Sequence, residues 1–115
     1  MYKMGIMAYG KGDIYAALFD NDFVKIGITR DSNKRQKTLA AQGPASMLLW
    51  VVTEVPNGLT MHEGTLHEMF KDKRAKGEYF KFSYDDWVTL FTYFGNIESA
   101  KNTGLLDKLK IYYDV

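Results

Sequence analysis

The sequence predicts an α+β protein in which a small mixed or antiparallel sheet is flanked by helices. Three features indicate this class: an alternating segment typical of a strand hairpin, a continuous apolar run typical of a central strand, and helix signals on either side of that run. A length of 115 residues fits one domain with a single core. Within it we expect a sheet-based core at residues 13–82 and a helical extension at residues 83–115.

The hairpin is predicted over residues 14–28, where apolar side chains alternate on both sides of a polar turn at residues 20–22. This turn pairs Tyr15 with Gly27 and puts all six aliphatic side chains of the two strands on one face. A tighter turn would bury the charge of Lys25 among those aliphatic side chains, which is costly. In the preferred register Tyr15 and Lys25 are diagonal neighbours on the opposite face, about 7 to 8 Å apart.

The next two elements are indicated by a capping signal and by composition. A helix is expected to begin at Asp31 or Ser32 and to run to about Gln42, because a Gly-Pro pair follows. The run MLLWVVTEV at residues 47–55 is rich in valine and leucine, which is typical of a strand covered on both faces. We therefore predict that this run is the central strand of the sheet.

The second half of the chain contains at least two more helices. The first is expected from Thr60 to about Arg74, with a buried stripe formed by Leu66, Met69 and Phe70. A short strand follows at residues 78–82, and residues 83–86 carry the start signal of a helix that ends at Gly95-Asn96. The remainder holds at least one further short helix or a terminal strand.

Composition excludes several classes of protein. The chain has no cysteine, which rules out a disulfide framework, a thiolate zinc site and a cysteine nucleophile. No apolar run approaches the roughly 20 residues of a membrane span, and glycines interrupt the N-terminal segment where a signal peptide would need an apolar stretch. We expect a cytoplasmic protein that does not enter membranes.

Positive charge is concentrated in two stretches although the net charge is only +1. Such clusters are typical of phosphate-binding surfaces, and equally of solvated helix faces. The residues predicted to contact nucleic acid are Arg30, Lys34, Lys37, Lys73 and Arg74.

Five short motifs occur in a fixed order along residues 13–82. They are Ile14-Tyr15, Lys25-Ile26-Gly27, Arg35, the pair Glu63 and His67, and Gly77-Glu78-Tyr79-Phe80. In this order they resemble the GIY-YIG nuclease superfamily, and most closely its small phage-type branch. Asp13 stands where that family carries a glycine next to the first motif, and its late asparagine has no clear counterpart here.

The resemblance implies a GIY-YIG-like fold and metal-dependent hydrolysis of a phosphodiester bond. Tyr15 would be the general base or would orient the water, Arg35 would contact the scissile phosphate, and Glu63 would bind Mg²⁺, with Mn²⁺ as an alternative. Lys25 would favour tyrosinate at Tyr15, since a phenol with a pKa near 10 is a poor base at neutral pH. His67 would orient a ligand or transfer a proton. The substrate would be DNA rather than RNA, cut by a monomer or by a homodimer that presents two sites.

Two alternatives stay open at this point. Glu63 lies three residues after Thr60, the spacing of a capping box, which would commit its carboxylate to the backbone of its own helix. The chain as a whole is alternatively a catalytically weak or inactive module on a GIY-YIG scaffold, such as a phage-encoded factor that binds nucleic acid or a host protein.

Overall fold

The computed structural model describes residues 12–43, 45–56 and 59–115. They form an α+β fold built on one five-stranded antiparallel sheet, so the predicted fold class is confirmed. The chain divides into two compact units, with the boundary between Lys81 and Phe82. The first unit holds the sheet and two helices, and the second holds three helices.

The elements of the first unit are β1 (Gly12–Phe19), β2 (Phe23–Thr29), α1 (Ser32–Ala41), β3 (Met47–Val55), α2 (Leu59–Met69), β4 (Arg74–Lys76) and β5 (Tyr79–Lys81). The second unit holds α3 (Tyr84–Tyr93), α4 (Ile97–Asn102) and α5 (Leu105–Tyr113). The strands lie in the order β3-β1-β2-β5-β4, and each neighbouring pair is antiparallel.

The hairpin of β1 and β2 has the predicted register. Tyr15 pairs with Gly27, and Ala17 pairs with Lys25. The turn between the strands is closed by a hydrogen bond of 3.0 Å from the Asp22 amide to the Phe19 carbonyl, and Asp22 has a left-handed φ of 73°. Five of the six aliphatic side chains on the core face are buried: Ile14, Ala16, Leu18, Val24 and Ile26. The period of two therefore set the register correctly.

The prediction for β3 is right in its bounds and wrong in its position. Among the strands that the structure describes, β3 lies at one edge, and β1 lies between it and β2. Side chains that should be covered in a central strand are exposed, with Leu48 at 50% and Val52 at 37%. A continuous apolar run is expected where both faces are buried, but here half of its side chains lie on a face that is only partly covered.

Helix α1 begins and ends where the sequence indicates. The Asp31 carboxylate accepts a hydrogen bond of 3.1 Å from the Lys34 amide, which is the geometry of an N-cap. Leu39 is buried on the Tyr15 face of the sheet, where it joins a cluster with Ala17 and Phe19. This packing places α1 above the side of the hairpin that carries Tyr15 and Lys25.

Helix α2 is shorter than predicted. It ends at Met69, and the chain continues through a 3-10 turn at Lys71–Lys73 into β4, which pairs with β5. Leu66 and Phe70 are buried as expected, but Met69 is 42% exposed and does not belong to the buried stripe. The lysines and arginine after Met69 favour helix on their own, but here strand pairing with a later part of the chain determines their conformation.

The second unit is built around aromatic side chains. Helix α3 begins with a capping box between Ser83 and Asp86, as the sequence indicated, and Gly95 follows its end with a φ of 71°. The Trp87 indole donates a hydrogen bond of 2.9 Å to the Tyr113 hydroxyl.

Of the helices in the described ranges, none combines the length and the apolar character that a membrane span needs.

Candidate functional site

Tyr15 occupies the middle of the site on β1. Its side chain is only 1% exposed, and its ring stacks on Trp50 of β3 with centroids 4.8 Å apart. The phenol end lies over Gly27, where a Cβ atom would come within 2.6 Å of the Tyr15 Cζ atom and still nearer to its hydroxyl oxygen. Only glycine at the paired position on β2 therefore leaves room for this tyrosine.

Lys25 forms an ion pair beside Tyr15. Its ammonium lies 2.9 Å from the Glu78 carboxylate and 5.1 Å from the centre of the Tyr79 ring. This ion pair forms because β2 pairs with β5. The pairing sets Lys25 opposite Tyr79 and brings the residue before it, Glu78, within reach of the ammonium. Burial lowers the pKa of Lys25, but the hydrogen bond to Glu78 and the attraction of neighbouring groups raise it above its usual value. Lys25 is therefore charged at neutral pH.

The Tyr15 hydroxyl has four charged neighbours, and three of them were predicted as site residues. Burial raises its pKa, Lys25 and Arg35 lower it, and Glu78 and Glu63 raise it, so that the net pKa lies above the usual value. Lys25 acts in the predicted direction, but burial outweighs it. The neutral phenol is therefore the main form of Tyr15 at neutral pH, although Lys25 favours tyrosinate as expected.

Glu63 is a half-buried carboxylate on α2. Burial and the charge of Glu78 raise its pKa, while His67 and Lys25 lower it without cancelling the rise. Thr60 lies in the first turn of α2, which is described from Leu59, and the capping box between Thr60 and Glu63 stays a prediction. The Glu63 carboxylate lies where a nearby cation would stabilise its charged form.

His67 is held in place by contacts at both ring nitrogens. Its Nε2 lies 3.2 Å from the Ile26 carbonyl oxygen, to which it donates, and its Nδ1 lies 3.4 Å from an Arg74 guanidinium nitrogen. The ring also packs edge-on against Phe80 at 5.2 Å. An acceptor at one nitrogen and a donor at the other are the partners of the neutral Nε2–H tautomer.

A polar depression of about 370 Å³ lies beside the first half of α1. Arg35 and Lys34 line it, and Thr29, Asp31 and Thr38 complete its walls. Both cations are exposed on the helix. The Thr29 hydroxyl donates to the Asp31 carbonyl and the Thr38 hydroxyl to the Lys34 carbonyl, so the two cations are the groups that remain for an anion of phosphate size.

The remaining basic residues are distributed less tightly. Arg74 lies with His67, and its guanidinium is 5.6 Å from the centre of the Phe80 ring. Arg30, Lys37 and Lys73 are exposed, and none of the three lines the depression around Arg35. Of the predicted nucleic-acid contacts, Lys34 is therefore the one that the structure brings next to Arg35.

Comparison with protein families gives a match across most of the chain. The family model of the T5orf172 domain matches residues 12–94, which include the whole sheet and every residue of the site described above. The chain belongs to the T5orf172 domain family. This is a phage-associated domain that is often linked to nuclease or DNA-binding activity. Neither the curated proteins nor the solved structures contain a match.

The family match corrects the assignment made from the five motifs. The matching family is the T5orf172 domain, a distinct family, and not the GIY-YIG superfamily. Each motif is only one to four residues long, whereas the family match extends over residues 12–94. The roles of the site residues therefore have to be argued from their own geometry.

Two residues of this T5orf172 site were missed from the sequence. Trp50 was assigned only to a strand, yet it covers Tyr15, because β3 pairs with β1 and places Trp50 opposite Ala17. Glu78 is named in the sequence only as part of the Gly77-Glu78-Tyr79-Phe80 motif, and the structure shows that it forms an ion pair with Lys25. Both contacts depend on strand pairing between distant segments, for which the local sequence carries no signal.

Proposed function

We propose that this T5orf172 domain is a metal-dependent endonuclease that hydrolyses phosphodiester bonds in DNA. The observation that carries the proposal is the electrostatic coupling of the Tyr15 hydroxyl to Lys25, Arg35 and Glu63, which come from three different elements. A buried phenol, a guanidinium and a half-buried carboxylate in one place supply the groups that phosphodiester hydrolysis needs. Such concentrations of perturbed titratable groups are typical of functional sites.

Each of these groups has a proposed task in the hydrolysis. The oxygen of a water molecule would bond to phosphorus as the bond to the leaving oxygen breaks; the water would give one proton to tyrosinate, and the alkoxide would take one from solvent. Arg35 would bind the scissile phosphate at the polar depression and offset the charge that builds up on its oxygens. The Tyr15 oxygen would accept the proton of the attacking water. Its raised pKa makes tyrosinate a strong base that is scarce at neutral pH, so we expect a slow enzyme.

The residues at the site fit a magnesium ion. Mg²⁺ keeps several waters and is usually held by one or two carboxylates together with substrate phosphates. Glu63, whose charged form is disfavoured by burial and by Glu78, would hold the ion and regain a partner for its charge. No three metal-ligating side chains come together in the described part of the chain, so the remaining ligands would have to come from water and the substrate phosphate. When bound, such an ion polarises a phosphoryl oxygen and lowers the pKa of a bound water.

A DNA-binding module without hydrolysis is the second candidate. It is favoured by the burial of Tyr15, whose 1% exposure prevents any substrate from reaching the hydroxyl in this conformation. In that case Arg35 and Lys34 would bind phosphates, and Tyr15 would act as part of the core beside Trp50.

Cleavage of supercoiled plasmid in Mg²⁺ separates the two candidates. We expect the wild type to nick the plasmid and Glu63→Gln to be slower by roughly 100-fold or more, because a metal contributes several kcal/mol to the transition state. Glu68→Gln is the matched control, since Glu68 lies on the same helix, is exposed and pairs with Lys71. EDTA should abolish cutting. A wild type that binds the plasmid and leaves it intact with both Mg²⁺ and Mn²⁺ would contradict the nuclease proposal and support the binding module.

A further inference from the structure

A mostly apolar cavity of about 230 Å³ lies beside the second half of α1. Its walls include the rings of Phe19, Phe23 and Tyr79 and the side chain of Leu39. Two carboxamides, those of Asn21 and Gln42, also line it. The volume is below the ~300 to 1,000 Å³ of pockets for drug-sized ligands, which suits a single planar ring system.

The chemistry of the walls matches a nucleobase. Aromatic side chains stack on the faces of bases of any sequence, and carboxamides form hydrogen bonds with their edges. The Asn21 side-chain oxygen accepts from the Phe23 amide at 3.2 Å, so its NH₂ group is the remaining donor. Gln42 is exposed at the helix end and supplies both a donor and an acceptor.

The cavity and the phosphate-binding depression are separate, and both lie along α1. Arg35 lines the polar depression and Leu39 lines the cavity, and they lie one helical turn apart on α1, about 6 Å along its axis. That spacing is close to the reach of one nucleotide from its phosphate to its base. The Lys25 ammonium lies 5.1 Å from the centre of the Tyr79 ring, and the Lys81 ammonium lies 5.6 Å from the centre of the Phe23 ring. Positive charge therefore borders the apolar walls, as a DNA strand requires.

We propose that this cavity receives one unpaired or flipped-out base of the DNA strand whose phosphate lies at Arg35. The inference rests on the proposed function, since it assumes that the ligand of the Arg35 site is DNA. An extruded base costs a few kcal/mol to unstack, and this cost is least where the base is already unpaired. The protein should therefore prefer bulged or single-stranded DNA to a perfect duplex.

The test compares two duplexes that differ in one base. One carries a single unpaired deoxyadenosine, and the other carries an abasic site at the same position; binding is measured by fluorescence anisotropy in EDTA, where cutting does not occur. We expect the wild type to bind the first duplex roughly 5- to 150-fold more tightly, the range for stacking of one base on an aromatic side chain. Equal affinity for the two duplexes would overturn the inference.

Variants locate the preference in the cavity. Ala75 is an exposed residue that lines the cavity, so Ala75→Trp should fill it and remove the preference. Ala40→Trp is the matched control, because Ala40 is exposed on α1 and does not line the cavity, and it should keep the preference. Phe23→Leu removes one aromatic wall with little change in volume and should weaken the preference even if Ala75→Trp fails to fold. A preference that survives in both cavity variants would overturn the inference.

The outcome also separates this inference from the nuclease proposal. If the wild type prefers the unpaired base and does not cut in Mg²⁺, the result supports base binding in the cavity and contradicts the endonuclease proposal. If the wild type cuts DNA and shows no preference for the unpaired base, the result supports the endonuclease proposal and contradicts base binding in the cavity.

Discussion

At the scale of single residues, Tyr15 and Gly27 form one structural unit. The phenol is buried over the only residue type that leaves room for it, and it stacks on Trp50 from the side of β3. The pairing was predictable, because the polar turn and the alternation of both strands determine it. The closeness of the contact was not, since it depends on the rotamer of Tyr15.

Gly27→Ala should therefore destabilise the protein. The added Cβ overlaps the end of the Tyr15 side chain, and forcing one extra carbon into a packed site costs about 1 to 3 kcal/mol. Gly64→Ala is the control, because a Cβ there meets no atom within 4 Å and alanine favours helix by about 0.5 to 1 kcal/mol. Chemical denaturation measures both changes. An unchanged free energy of unfolding for Gly27→Ala would show that Tyr15 has another position available.

Glu63 gives a prediction about stability that does not depend on activity. Its raised pKa means that the folded state holds the proton more tightly than the unfolded chain does. The stabilisation is therefore complete below the ordinary glutamate pKa and is lost as the pH rises through the raised value. At neutral pH the charged Glu63 destabilises the fold, so Glu63→Gln should be more stable than the wild type; the gain should be small, because solvent screens the charge of a half-buried side chain.

Thermal unfolding between pH 3.5 and 8 measures this difference. The gain of Glu63→Gln should shrink as the pH falls and disappear below the ordinary glutamate pKa. The exposed control, Glu68→Gln, should show no gain, since the hydrogen bond from Lys71 lowers the pKa of Glu68. A Glu63→Gln variant that is less stable than the wild type at pH 7 would show that the carboxylate has a stabilising partner.

At the scale of elements, α2 shows the limit of reasoning from periodicity. Its buried stripe was predicted from apolar spacing, which identified Leu66 and Phe70 correctly and Met69 wrongly. The spacing of Met69 from Leu66 is helical, but the helix ends at Met69 and its side chain faces solvent. Burial at the last turn of a helix depends on where the chain goes next, and here it leaves for β4.

Truncation of the two side chains should therefore have very different effects. Leu66→Ala creates a cavity in the core and should cost about 2 to 5 kcal/mol. Met69→Ala removes a side chain that is 42% exposed and leaves no core cavity, so it should change the free energy of unfolding much less, by about 0.5 kcal/mol. Urea unfolding of the two variants is the measurement. Similar losses in both would mean that Met69 is part of the buried stripe after all.

At the scale of the whole molecule, most local signals were read correctly, whereas contacts between distant segments were not predicted. Strand alternation, the cap at Asp31 and the helix start at residues 83–86 each depend on signals within a few residues and were predicted. The edge position of β3 depends on pairing between strands that lie far apart in sequence. The ion pair of Lys25 with Glu78 joins residues 53 apart, so no local pattern contains it.

The residues of the candidate site were predictable from the sequence, whereas their burial was not. Tyr15, Lys25, Arg35 and Glu63 were selected in order along the chain, and the structure brings all of them within electrostatic range of one hydroxyl. Their chemical state was predicted less well, because burial and not the neighbouring charge determines the direction of the Tyr15 pKa. Burial of a side chain by Trp50 is a property of the assembled sheet.

A double-variant cycle tests most directly whether one coupled site cuts DNA. Single-turnover cleavage rates of a labelled duplex in Mg²⁺ would be compared for the wild type, Tyr15→Phe, Glu63→Gln and the variant with both changes. We expect Tyr15→Phe to be slower by about 10² to 10⁴, and the double variant to be little slower than the slower single one, because residues that act as a unit do not add. Tyr15→Phe combined with Glu68→Gln should match Tyr15→Phe alone. Losses that multiply in the first double variant, or a wild type that does not cut, would contradict a single catalytic site at Tyr15.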